Sequence, residues 1–320
     1  MLLRRSAGLF RGLARGARAN STVGAVLEAQ AAAVPTKNAL LVAHQNVSWT
    51  TGDLNAHADA FAAGLIEFGF QKGDALAAAL HDDAELIVAT YACAKAGVVL
   101  HALPPAAHTA DAVASVLAGS GARGLLLAGG AAGAPLRDAV REELAPELAA
   151  QGRLGVQGQA LRSARFPALR VAIKTGTTWE HPVLNFHDAM VFAPQPDPLP
   201  RRALEIQPDD AVAVYYGDDG AAAQTATHAG LLAAAAKAGD ALGLTGADAV
   251  CATSGAAALA VGTLAAVRSL ARCVVPAPGP DAAAVAAALG GGAAGGEACS
   301  ALLTSDRALG QCARVADAAL

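Results

Sequence analysis

Apolar residues along this chain fall into two alternating patterns, short extended runs and faces with helical spacing. The segment "ALLVAHQNVSWT" (39–50) predicts two strands around a turn at Gln45-Asn46. Thr50, with Asp53 three residues on, has the spacing of a capping box, so a helix is predicted to start there. Its buried face would carry Leu54, Ala58, Phe61, Ala62 and Leu65, and Gly69 would stop it, because glycine takes a left-handed cap without a Cβ penalty. A strand at Ala75–Leu80, a helix ending near Gly97, an extended piece at 98–100, a helix opened by Thr109 and a strand at 124–129 follow. This alternation predicts an α/β fold with mostly parallel sheets flanked by helices.

Beyond residue 128 the pattern weakens. "AGGAAGAP" reads as a loop, 136–150 as a charged surface helix, and the stretch up to 168 as an irregular connection. "ALRVAI" resumes a strand, and "APQPDPLPRR" (193–202) reads as a proline-rich linker that cannot be a helix interior. Strands are then predicted at 211–215, 273–275 and 300–303, with a low-complexity loop at 289–298 and no internal repeat. The uncharged run 249–267 is long enough to span a bilayer, but its alanines, glycines and hydroxyl residues favour a buried soluble helix. These patterns divide the chain into a first α/β subdomain (21–192), a linker (193–208) and a second subdomain (209–320).

Composition changes this picture only at the N-terminus. With 54% hydrophobic and 16% charged residues among 320, the chain can bury a large core. Residues 1–20 hold Arg4, Arg5, Arg11, Arg15 and Arg18 and no acid, the pattern of a mitochondrial transit peptide. Removing these five from the 23 basic residues leaves 18 against 27 acidic ones, a balance that excludes nucleic acid as a partner. Cys93, Cys251, Cys273, Cys299 and Cys312 lack metal-ligand spacing and read as small core residues.

Several phrases, in order, carry a family resemblance. Trp49 to Leu54, Gly69 to Asp74 ("GFQKGD"), Ala92 to Gly97 ("ACAKAG") and Leu103-Pro104-Pro105 match the opening motifs of the adenylate-forming enzymes, which include the acyl-CoA synthetases. "VLAGSGARGLLL", "LRVAI" and "QPDDAVAVYY" continue the resemblance, which runs from about Val23 onward. In that family the strand after the last phrase enters a phosphate loop, Thr-Ser-Gly-(Ser/Thr)-(Ser/Thr)-Gly-x-Pro-Lys-Gly, with Thr-His a few residues later. Here the frame is Gly217, Gly220 and Thr227-His228, leading from strand through turn to helix. Asp218 and Asp219 replace the hydroxyl residues, and Ala222-Ala223-Gln224 replaces Pro-Lys-Gly, so that Ala223 stands in the lysine's place.

A phosphate loop presents backbone N–H groups, hydroxyls and a lysine to an anion. Two carboxylates at about 4 Å from a triphosphate would instead each cost roughly 1 to 4 kcal/mol. A solvated turn accounts for the four residues more simply than a magnesium site does. The "IKTGTTWEH" stretch (173–181) imitates such a loop but lacks its second glycine and following helix, so a turn is expected. His101, His108, His181 and His187 suggest no acid–base pair.

The resemblance also implies that the motifs for adenine and ribose, the acid that serves magnesium, the hinge and the C-terminal domain with its catalytic lysine lie beyond Leu320, so the chain is expected to be a truncated N-terminal domain. The expectation is therefore a catalytically inactive acyl-CoA synthetase-like protein with no catalytic residue, cofactor or metal, located at the matrix or the matrix-facing inner membrane. Its expected partners are other subunits of a large mitochondrial assembly such as respiratory complex I, joined without a transmembrane helix of its own. The alternative is a ligase that forms an acyl-adenylate from ATP and a carboxylic acid.

Overall fold

Strands buried on both faces explain why so much of this chain is alanine, valine and leucine. In the strand Ala75–Ala79, Leu76 and Ala78 face one apolar cluster while Ala75, Ala77 and Ala79 face another. Such a strand reads as a continuous apolar run rather than an alternating one. The computed structural model describes residues 21–144, 161–180, 183–253, 255–278, 281–289, 298–304 and 312–314. The transit-peptide reading of 1–20 and most of the glycine-rich loop reading therefore lie outside the described residues.

The elements begin with α1 (Val23–Ala33), β1 (Asn38–Val42), β2 (Val47–Thr50), α2 (Thr51–Glu67), β3 (Ala75–Ala79), α3 (Ala84–Ala96), β4 (Val99–Ala102), α4 (Ala110–Ser120) and β5 (Gly124–Leu127). They continue with α5 (Gly130–Ala139), β6 (Val171–Lys174), β7 (Leu184–Asn185), α6 (Leu199–Glu205), β8 (Ala211–Tyr216), β9 (Ala222–Thr227) and α7 (His228–Ala241). The last are β10 (Ala249–Thr253), α8 (Ala256–Ser269), β11 (Arg272–Val275), α9 (Ala282–Leu289), β12 (Ala301–Thr304) and β13 (Cys312–Arg314).

Local chemistry sets many of the boundaries. The capping box forms: Thr50 Oγ1 accepts the Asp53 N–H at 3.1 Å and the Asp53 carboxylate accepts the Thr50 N–H at 3.0 Å. The Thr50 N–H bond, with a second from the Thr50 hydroxyl to the same carboxylate at 2.8 Å, holds the Asp53 carboxyl below its usual range, the backbone bond contributing most. Gly97 and Gly121 close α3 and α4 in the left-handed conformation, which glycine adopts at least cost.

Two sheets result. One has seven strands in the order β7-β6-β5-β3-β4-β8-β9, all parallel except β9. The other has six, β13-β12-β10-β11-β1-β2, with antiparallel strands only at its two ends. Between them α1, α2, α3, α7 and α8 pack into one shared core that takes side chains from both sheets. On the outer face of the seven-stranded sheet lie α4 and α5, and α9 covers the outer face of the six-stranded one. The turn after β7 packs tightly on α2: a Cβ on Gly64 would lie 1.8 Å from the Ala189 carbonyl oxygen.

Both sheets draw strands from both sides of 193–208. β8 and β9 complete the sheet begun by β3, while β1 and β2 complete the sheet made of β10 to β13. The proline-rich stretch is accordingly not a boundary between sheets, and it contains the helix α6. Proline is tolerated in the first turn, where its missing N–H has no partner to lose. Buried Arg202 of α6 ties the segment down by donating to the carbonyl oxygens of Ala96 (2.8 Å) and Phe70 (3.4 Å).

Two other expectations need correction. "AGGAAGAP" is not a loop but most of α5, anchored by the buried Arg137, which donates to the carbonyls of Ala128 and Gly130 and binds Glu180 through two nitrogens. The helix reading of 136–150 holds only as its continuation to residue 144, since 145–160 lie outside the described residues. The run 249–267 is a strand, β10, followed by α8, with Gly255 at φ +104 between them. Among the described residues no helix is long and apolar enough to cross a membrane.

Candidate functional site

In open α/β sheets ligands bind beyond the carboxyl ends of the parallel strands. Here both sheets bring such ends together. The Asp82 N–H, just after β3, donates to the Pro278 carbonyl after β11 at 3.2 Å, and the Asp82 carboxylate accepts the Gly255 N–H ahead of α8 at 3.2 Å. Asp83 lies 2.8 Å from His44 Nε2, just after β1, and Gln45 bonds both Glu85 and the Ala84 N–H at 2.8 Å. Burial raises the Glu85 pKa, opposed by the Gln45 bond.

The carboxyl end of β8 carries the singled-out turn. A helix does not follow it directly: β9 intervenes, pairing antiparallel with β8, so residues 211–227 form a hairpin and α7 begins only at His228. An alanine-rich segment without strand propensity is extended here because β8 offers it an unpaired edge. Within the turn the Gly217 N–H donates to Ala221 O at 2.9 Å and the Gly220 N–H to Gly217 O at 2.8 Å. Asp219 accepts the Ala221 N–H at 2.9 Å, the local bond by which aspartate favours turns. Gly220 has φ +74, and a Cβ there would meet the Ala112 Cβ of α4 at 3.0 Å. Asp218 and Asp219 are both exposed.

Ala223 lies in β9. Thr227 is the N-cap of α7, accepting the Gly230 N–H at 3.1 Å. His228 is buried, its Nδ1 accepting the Val23 N–H at 3.2 Å. Burial pulls its pKa down to about 4 against the opposing charge of Asp210, so it is neutral near pH 7 and fastens α1 to the hairpin's far end. The structure thus brings Gly217, Asp218, Asp219 and Gly220 together at the tip, while Thr227 and His228 stand at the other end of β9.

Beside the tip lies a polar group that sequence spacing did not reveal. His101 Nδ1 of β4 is 2.8 Å from the Tyr216 hydroxyl at the end of β8, and the rings of His81 and His108 lie 5.3 Å apart. Burial lowers the His101 pKa, lowers that of His108 to about 4 and raises that of Tyr216. His101, His108 and Tyr216 therefore act near neutral pH as uncharged hydrogen-bonding groups. The partner of His101 comes from a strand far away in sequence, whereas His108 bonds the nearby Leu103 carbonyl at 3.3 Å. His187 is exposed, with its ring 6.3 Å from that of Phe192, and His181 lies outside the described residues.

Of the imitation loop, Ile173 and Lys174 end β6 and the chain bends at 175–177, while residue 181 lies outside the described residues. Lys174 is buried, its Nζ bonded to the Thr178 carbonyl, and Thr175 Oγ1 accepts the Gly129 N–H at 2.8 Å. Among the described residues no group of three histidine, cysteine or acidic side chains is placed to hold a metal ion.

Comparison with known proteins places this geometry. The sequence profile of the AMP-binding enzyme family matches residues 27–289. The chain is similar to the mitochondrial medium-chain acyl-CoA ligase ACSF2 of Bos taurus, 37% identical over 87 residues, covering 27% of this chain and 14% of that protein. It is 29% identical over 154 residues to the ACSF2 of Mus musculus, covering 48% of this chain and 24% of that protein. Among solved structures, MbtA of Mycobacterium smegmatis superposes with a TM-score of 0.64 at 24% identity, covering 87% of this chain and 48% of that one. A benzoate CoA ligase from Burkholderia xenovorans LB400 gives 0.62 at 20% identity, covering 84% of this chain and 48% of that one. The matched region thus spans a quarter or less of the two curated relatives and about half of these two solved chains.

These findings overturn the expectation of a pseudoenzyme. The degenerate turn had suggested lost chemistry, but the matching family is one of enzymes and the curated relatives are ligases. Exposure of both aspartates removes much of the physical objection, because charges in water repel an anion far less than buried ones. The chain is acyl-CoA synthetase-like in fold and sequence, and it belongs to the AMP-binding enzyme family.

Proposed function

We propose that this chain is part of an ATP-dependent acid–CoA ligase that activates a medium-chain carboxylic acid in mitochondria. A carboxylate oxygen attacks the α-phosphorus of ATP and the bond to pyrophosphate breaks; the coenzyme A thiol, losing its proton, then attacks the acyl carbon of the acyl-adenylate and AMP leaves. One observation carries the reading: the Gly217–Gly220 turn projects from a parallel sheet's carboxyl edge, in the frame where the family holds its phosphates. The names of the mitochondrial relatives support the acid class and the compartment, and the arginine-rich residues 1–20 support the compartment independently.

In this chain the hairpin tip would meet the triphosphate, with the aspartates turned to solvent. The His101–Tyr216 pair supplies neutral hydrogen bonds beside it. His228 holds the hairpin's far end against α1.

Hydrogen exchange of the purified chain with and without millimolar ATP tests the proposal. Protection confined to peptides covering 211–221 is expected, strengthened by octanoate more than by acetate or palmitate. Unchanged exchange in those peptides at saturating ATP would overturn it.

A further inference from the structure

Thr22, the N-cap of α1, lines a groove of about 200 Å³ together with residues of α1, α2, α3 and the segment that carries α6. Ala94, Leu199 and Ile206 give it an apolar lining, and four charged side chains, Glu28, Asp59, Lys95 and Asp197, share it. Two of the four answer each other. Lys95 Nζ lies 2.5 Å from one Asp59 oxygen and donates to Asn55 at 2.8 Å, while the other Asp59 oxygen accepts the Asn55 amide at 2.7 Å. Glu28 and Asp197 are exposed and make no ion pair among the described residues. Asp197 commits one oxygen to the Leu199 N–H at 3.0 Å. The groove thus offers apolar surface beside two uncompensated carboxylates.

An arginine suits such a surface, because its aliphatic stem packs on apolar groups while its planar head pairs with a carboxylate through two parallel hydrogen bonds. Arg18 precedes Thr22 by four residues and Arg15 by seven. At no more than about 3.5 Å per residue, both stay within about 25 Å of Thr22 along the chain. No acid stands between Met1 and Glu28 to compete for them. From this proximity and the complementary charge we infer that the groove is the docking site of the chain's own segment 15–20, with the guanidinium groups of Arg15 and Arg18 on Glu28 and Asp197. Weak pairing suffices, since a short connection holds the segment at an effective concentration in the millimolar range. Folding then covers the two arginines nearest α1, and the arginine-rich mitochondrial address is complete only while the chain is unfolded.

The test uses the full-length, uncleaved chain under native conditions at low salt, digested briefly with trypsin at two protein concentrations, with the N-terminal fragments followed by mass spectrometry. Each cleavage rate is divided by that of the same bond in a synthetic peptide of residues 1–22. Cleavage after Arg15 and Arg18 should be roughly fivefold slower than after Arg5 and Arg11, the factor that two exposed ion pairs supply. At about 0.5 M salt the four rates should become equal, because exposed pairs are screened. They should also become equal in the Glu28→Gln, Asp197→Asn double variant, in which asparagine keeps an acceptor for the Leu199 N–H.

Equal rates in the wild type at low salt would overturn the inference, and so would slowing that survives high salt or the double variant. Slowing that fades on dilution would overturn it as well, since the segment would then lie in the groove of a second copy. The wild-type rates at low and high salt decide the matter even where the variant does not fold.

Discussion

Replacing Asp218 and Asp219 together by serine tests how the turn can face a nucleotide at all. Both carboxylates are exposed at the hairpin tip, so the water-like end of the Coulomb range applies, about 1 kcal/mol for each charge at roughly 4 Å from a phosphate. Removing both should lower the free energy of ATP binding by about 2 kcal/mol, a roughly 30-fold smaller Kd. The gain should shrink as salt rises, since at about 0.15 M the screening length is only about 8 Å. Serine can still accept the Ala221 N–H that Asp219 holds at 2.9 Å, and Gly220 at φ +74 is untouched, so the turn should persist. Isothermal titration with ATP at low and high salt measures the effect, with Asp240→Ser, an exposed acid on α7, as the control. A Kd unchanged in the double variant, or an equal gain in the control, would refute the assignment of the hairpin tip as the phosphate-facing surface.

Three further outcomes follow from the structure. His228 is neutral in the fold, with a pKa near 4 against about 6.5 unfolded, so below pH 6.5 the unfolded chain binds a proton that the folded one refuses. Stability should fall by up to about 3 kcal/mol as pH drops through that window, and His228→Gln, which keeps an acceptor for the Val23 N–H, should flatten the fall in urea titrations; an unchanged pH slope counts against it. Thr50→Ala removes the hydroxyl half of the α2 capping box and should cost about 1 kcal/mol in the same assay, with no loss if the cap is unimportant. Gly64→Ala forces a methyl group against the Ala189 carbonyl and should destabilise by about 1–3 kcal/mol, seen as a lowered Tm; an unchanged Tm would show that α2 can move away freely.

Elements governed by local chemistry were legible in the sequence. Thr50 and Asp53 mark the start of α2 because a capping box needs only residues three apart, and Gly97 marks the end of α3 because a left-handed residue closes it. The frame Gly217, Gly220, Thr227, His228 was equally visible as a motif. Its shape was not, because β9 is extended only through pairing with β8, and alanine has no preference that announces it. The same holds for α5, whose glycines and proline oppose a helix until Arg137 binds the carbonyls behind it and Glu180 across the sheet.

By itself, then, the sequence determined the α/β alternation, the helix caps, the apolar positions that make the cores and the family frame of the turn, all of which depend on neighbours a few residues apart. Tertiary structure alone decided that β1 and β2 join the strands after residue 248, that the two sheets meet at Asp82, and that His101 finds Tyr216. It also decided the meaning of Asp218 and Asp219. A charge's cost depends on how much water surrounds it, and only the folded hairpin sets that exposure.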